Sequence, residues 1–129
     1  MQPSIYISNI ILSNFRSHEK FIINSNSKNI VLFGKNGVGK TNILESISLL
    51  SPGRGLRNAK NEEIINKNTN TDYGLSANLQ FDNNSIKIKK TYLRDETKKS
   101  NLFIDDEKSK TADLLNFLRV IWVTPVMEK

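Results

Sequence analysis

The sequence predicts an α/β fold in which a buried strand feeds a glycine-rich loop and a helix, with an antiparallel β meander beside them. Three observations carry that prediction. Residues 30–33, "IVLF", form an unbroken apolar run, as expected of a strand covered on both faces. They lead through "GKNGVGKT" into "NILESISLL", where Ile43, Leu44, Ile47 and Leu50 recur at the 3.6-residue period of a helix. Residues 73–104 then alternate apolar and polar in segments parted by turn residues.

In chain order, "SIYISNIIL" (4–12) is Ile-rich and β-prone, "SNFRSHEK" (13–20) reads as a polar corner, and "FIIN" (21–24) as a second short strand. "SNSKN" is a turn before the apolar strand. The helix runs from about Lys40 to Leu50 and is stopped by Ser51-Pro52-Gly53. Residues 53–72 are polar and irregular, with a short helix at "NEEIIN". "YGLSANLQF" places Leu75, Ala77, Leu79 and Phe81 on one face, and "DNNS" is a hairpin turn. "IKIKKTYLR" sets Ile86 and Ile88 on one face with Lys87 and Lys89 on the other. After "DETKKS", "NLFID" is the third strand of the meander, "KTADLLNFL" a helix and "VIWVTP" a buried strand. Phe117 and Trp122 read as core residues rather than base-stacking ones.

The 129 residues suffice for one modest domain, and 37% apolar with 25% charged residues is ordinary globular composition. The absence of cysteine excludes a disulfide framework and thiolate metal sites. No apolar run reaches the ~20 residues of a membrane span and no signal peptide opens the chain, so a cytoplasmic protein without membrane contact is expected. The net charge of +6, from 19 Lys and Arg against 13 Asp and Glu, suits a polyanionic partner, although a merely basic protein reads the same way.

The loop Gly34, Lys35, Asn36, Gly37, Val38, Gly39, Lys40, Thr41 fits G-x-x-x-x-G-K-[ST]. Its glycines let the backbone curl so that N–H groups face phosphate oxygens, and the helix dipole points to the same place. Lys40 would reach the β- and γ-phosphates of a nucleotide, and Thr41 would place its hydroxyl on Mg²⁺. Hydrolysis also needs a carboxylate beside the metal. The tempting stretch "LFIDDE" (102–107) has only three apolar residues, and Asp105-Asp106 falls where a strand gives way to polar residues, so it reads as a turn. No other apolar run ends in acidic residues, and no catalytic residue is assigned within the chain. Glu45 lies too close to the loop's own helix to position water. His18, the only histidine, has no evident acid–base partner.

Together, "NFRSHEKF" before the loop, "GKNGVGKTNILESISLLS" through it and "GRGLR" after it strongly resemble the N-terminal region of the RecF family, within the wider group of ABC-type heads that includes the SMC proteins. "VIWVTPVME" resembles the family's Thr-Pro strand. The resemblance spans essentially the whole chain. It implies an α/β P-loop NTPase fold, the N-terminal ATP-binding lobe of an ABC/SMC-type head, with a mixed sheet around the loop and an antiparallel meander. Residues 1–129 would then be a partial head, with the signature motif and the Asp-Glu metal strand lying further along the family's chain.

The resemblance also implies function: ATP with Mg²⁺ as cofactors, ATP-dependent homodimerisation on DNA, recognition of gapped or junction DNA, recombinase loading with RecO and RecR, and slow ATP hydrolysis. It places Asn36 near the γ-phosphate and Arg16 beside the nucleotide's phosphates. Asn42 either contacts the nucleotide or fills the first helical turn. Arg54 and Arg57 either touch nucleotide or DNA phosphate or belong to a solvated loop. Lys87 and Lys89 form a basic hairpin face, either solvated or DNA-binding. Two other classes compete. A kinase or GTPase is disfavoured by "NFRSHEK" upstream of the loop and by the lack of guanine-reading Asn-Lys-x-Asp, since "NKNT" (66–69) contains no Asp. A DNA-binding fragment without nucleotide would depend on Lys87 and Lys89 rather than Lys40.

Overall fold

The computed structural model describes residues 5–26, 39–68, 71–81, 83–94, 99–118 and 120. Six strands form one sheet: β1 (Ile5–Phe15), β2 (His18–Asn24), β3 (Asp72–Phe81), β4 (Asn84–Leu93), β5 (Asn101–Ile104) and β6 (Glu107–Ser109). Their spatial order is β2-β1-β3-β4-β5-β6, and every neighbouring pair is antiparallel. Between β2 and β3 come the helices α1 (Lys40–Ser48) and α2 (Asn61–Ile64), and a 3₁₀ helix (Thr111–Asn116) follows β6.

One sheet face carries the core. Register aligns Ile10 with Ala77 and Leu12 with Leu75, then Ala77 with Ile88 and Tyr73 with Tyr92. These side chains are buried, and Ile43, Leu49, Leu50, Ile64, Ile65 and Leu114 from the helical segments complete the same cluster. Tyr73 anchors its centre, edge-on to Phe15 and stacked on Tyr92, each at 5.7 Å between ring centroids. Phe117 packs against the cluster, as its sequence context predicted. Trp122, the "IVLF" strand and residues 121–125 of the "VIWVTP" strand lie outside the described residues, as do Gly34, Lys35, Asn36, Gly37 and Val38.

The structure differs from the sequence reading at several elements. The polar corner at 13–20 is instead the end of a long hairpin. Ser13 pairs with Lys20 and Phe15 with His18, so only Arg16 and Ser17 form the turn. Polar side chains do not end a strand when its outer face meets water. The loop helix stops at Ser48, and Leu44, expected on its apolar stripe, is 50% exposed while Glu45 is fully buried. The segment read as a helix over 110–118 is a 3₁₀ helix in its first part. "EKS" forms the short edge strand β6, which its polar composition concealed.

Asp105 and Asp106 form the β5–β6 turn with φ of 50° and 67°, the positive-φ pair of a primed two-residue hairpin. The Asp105 carboxylate accepts the Lys87 N–H at 2.9 Å, and the Asp105 N–H donates to the Lys87 carbonyl at 2.9 Å. The turn reading of this acidic pair therefore holds. Because glycine carries no Cβ penalty at positive φ, Asp106→Gly should raise unfolding free energy by about 0.5 kcal/mol in urea titration. A loss would show that the Asp106 side chain contributes more than its backbone strain costs.

Candidate functional site

The site is assembled by the β1–β2 turn against the start of α1. Arg16 sits at φ 52°, and its N–H donates to the Ile64 carbonyl at 2.6 Å. The Asn66 N–H donates to the Asn14 carbonyl at 2.7 Å, and Phe15 bridges to Ile65. The end of α2 and the two residues after it thus clamp the hairpin end and aim Arg16 at α1. There Arg16 Nε and Nη2 donate to the two Glu45 oxygens, each at 2.9 Å, in a forked pair. Arg57 Nη1 adds a contact at 3.3 Å to Glu45 Oε1 and donates to Asn42 Oδ1 at 2.7 Å. Asn42 Nδ2 closes the circuit by donating to Ser17 Oγ at 2.8 Å.

A buried carboxylate is costly unless charged donors satisfy it. Glu45 is 0% exposed, and the two guanidinium groups supply that compensation from the turn before the loop and the segment after the helix. Its charge reaches further in: the Tyr73 phenol, which donates to Asn61 Oδ1 at 2.9 Å, is pushed above the ordinary tyrosine range mainly by burial, then by Tyr92 and by Glu45.

Gly39 forms the N-cap of α1 with φ 92°, a conformation natural to glycine. His18 Nε2 lies 3.3 Å from its carbonyl oxygen, which accepts the ring proton in the Nε2–H tautomer. Lys40 and Thr41 open the helix, Thr41 exposed to solvent. Asn42, next in the helix, lines a cavity of about 450 Å³ together with Arg16, Ser17, Arg57, Glu63, Asn66 and Lys67 among others, while Gly39, Lys40 and Thr41 stand outside its wall.

Of the residues singled out in the sequence, the fold brings Arg16, Gly39, Lys40, Thr41, Asn42 and Arg57 into one region. Arg54 lies elsewhere, lining a second cavity. Lys87 and Lys89 project from the sheet face opposite the core, and Lys87 sits 3.9 Å from Asp106 in an exposed pair. Ser17, His18 and Glu45 join the site although the sequence assigned them no role there. Glu45 is joined to Arg16 across 29 residues, and local periodicity has no signal at that separation. Among the described residues no helix is long and apolar enough to cross a membrane.

The chain is 35% identical over 130 residues to the DNA replication and repair protein RecF of Rhizobium rhizogenes, covering 99% of this chain and 35% of that protein. It is 32% identical over 125 residues to the RecF of Rickettsia akari, covering 97% and 34%. The chain thus spans about a third of the length of these curated relatives. Among solved structures it resembles the recombination mediator protein RecF with ATP, at TM-score 0.83 and 25% identity over 96% of this chain and 34% of that one. A solved SMC ATPase shares the fold at TM-score 0.69 with 19% identity, over 86% of this chain and 76% of that one. The fold is that of the P-loop heads of RecF and SMC ATPases. Residues 6–126 match the family model described as RecF/RecN/SMC N terminal domain, and the chain belongs to that family.

Proposed function

We propose that this chain is the ATP-binding lobe of a RecF-type head, residues 1–129 forming a partial head domain that holds Mg-ATP at the start of α1. The observation that carries the proposal is the left-handed Gly39 opening α1, with Lys40 and Thr41 in the first turn and a cleft of about 450 Å³ alongside. The first N–H groups of a helix have no intrahelical acceptor and offer themselves to anions. The donor set fits a nucleotide triphosphate. Lys40 would bind the β- and γ-phosphates, and the glycine pattern of the sequence at Gly34, Asn36, Gly37 and Gly39 suits a loop whose N–H groups would face them. The exposed Thr41 hydroxyl would hold Mg²⁺, which when bound neutralises phosphate charge. Arg16 spends two of its five N–H donors on Glu45 and keeps three for a phosphate in the cleft it lines. Asn42 and Arg57 stand on the same wall.

The names of the relatives, which concern DNA replication, repair and recombination mediation with ATP, support a wider reading. In it the intact protein is cytoplasmic, dimerises with ATP on gapped DNA and loads recombinase with RecO and RecR. Arg54, Lys87 and Lys89 would then offer cations to DNA phosphate. The chain alone would bind nucleotide without turning it over, because no apolar run of its sequence ends in Asp-Glu.

Titration calorimetry with Mg-ATP tests this reading. Lys40→Ala should weaken binding about 100-fold, the worth of a charge-assisted contact to phosphate, while phosphate release by the parent chain stays at the level of that variant. Equal affinity in both chains would refute the proposal, and turnover by the parent above the variant would refute its claim of an inert lobe.

A further inference from the structure

The pleat of β4 sends Lys87 and Lys89 to solvent and Lys90 to the core face. There Lys90 stands opposite Leu75 on β3 and Leu102 on β5, with only 7% of its surface exposed. Burial pushes its ammonium group below the usual lysine range. Among the described residues no hydrogen bond or ion pair holds it. A buried cation without a partner is costly, and folds retain one where something else supplies the counter-charge.

Lys90 lines a cavity of about 400 Å³ bounded by the segment after α1, by α2 and by β4. Arg54 and Lys60, both exposed, stand at the same cavity. Leu49, Ala59 and Ile64 give it apolar walls, and Glu62 is the one carboxylate among the described lining residues. Three cations against one anion favour a ligand bearing negative charge, and apolar walls strengthen that attraction by excluding water. The cavity lies beyond the C-terminal end of α1, whose nine residues span ~13 Å from the phosphate-loop end. It is therefore a place separate from the nucleotide cleft.

We propose that this cavity is a second anion site, binding a small organic molecule through a phosphate group held by Lys90, Arg54 and Lys60. Its size matches small-molecule pockets, and a phosphate alone would leave the apolar walls uncovered. A DNA backbone is a less suitable occupant. Regularly spaced phosphates on a duplex meet cations that stand out from a surface, whereas Lys90 is sunk at the core face. The inference goes beyond the nucleotide reading and does not depend on it.

The test is an NMR titration of lysine ε-ammonium and arginine guanidinium signals, made in the Lys40→Ala chain so that the phosphate loop does not compete. Inorganic phosphate is one probe and a short DNA duplex the other. Inorganic phosphate should shift the Lys90 signal saturably, with a dissociation constant on the order of 1 mM, and move Arg54 in parallel. Arg54→Ala, a surface change that leaves the core intact, should weaken the response about tenfold, the share of one charge-assisted contact. Lys90→Met should remove the Arg54 shift. A Lys90 signal indifferent to phosphate overturns the proposal, as does a response to the duplex alone or a phosphate response unchanged by Arg54→Ala.

Discussion

Arg16→Met should lower the unfolding free energy by about 3 kcal/mol, and Arg16→Met combined with Glu45→Leu should recover most of that loss. The asymmetry follows from which partner is buried. Glu45 is 0% exposed, while the Arg16 side chain is 21% exposed, so removing the arginine strands the carboxylate in the core. Breaking a buried pair by deleting one member costs about 3–5 kcal/mol, and replacing both with apolar groups is often neutral or better. Arg57 stays behind at 3.3 Å, which places the expected loss at the lower end of that range. Urea unfolding of the two single variants and the double variant gives the coupling energy directly. A loss below about 0.5 kcal/mol in Arg16→Met would mean that Arg57 alone satisfies Glu45.

Gly39→Ala should cost about 2–3 kcal/mol of stability and weaken Mg-ATP binding at least tenfold. Two effects add at this position. The backbone sits at φ 92°, which a residue with a Cβ rarely adopts, and the new methyl group would lie 2.5 Å from His18 Nε2 and 2.8 Å from Ser17 Oγ. The turn carrying Arg16, Ser17 and His18 would have to retreat from α1, loosening the region that positions the candidate nucleotide site. Gly53 separates the two effects. Its φ is 109°, yet nothing lies within 4 Å of a Cβ there, so Gly53→Ala should show only the backbone cost, about 1 kcal/mol. His18→Ala in the Gly39→Ala background should relieve part of the clash and none of the strain. Thermal unfolding of the four chains checks the ranking. Equal losses for Gly39→Ala and Gly53→Ala would show that the hairpin turn yields freely.

The elements readable along the chain were those whose cause is local. Alternation over 73–81 and 84–93 marked β3 and β4 because a strand half-covered by a core shows its two faces at period two. Asp105-Asp106 could be recognised as a turn because short acidic side chains tolerate positive φ. The glycine-rich loop was singled out by a residue pattern that suits a phosphate-cradling backbone. The β1–β2 hairpin was read too short because its outer face is polar, and β6 was missed because three polar residues carry no periodicity. In the helix, Leu44 was placed on the buried stripe from spacing alone, and the register of the real contact face could not be judged without its neighbours.

By itself, then, the sequence determined the helix that opens at Lys40, the meander and the turn at Asp105-Asp106, and it raised the expectation of phosphate chemistry at Gly34, Lys40 and Thr41. Only the tertiary structure decided that Glu45 is buried between Arg16 and Arg57, that His18 and Ser17 close against Gly39, and that Lys90 faces inward beside Arg54 and Lys60. The physical reason is one of range. Periodicity and turn chemistry record how a residue treats its own backbone and the solvent. The worth of a buried charge depends on what stands across from it, and those partners come from segments that meet only after the chain has folded.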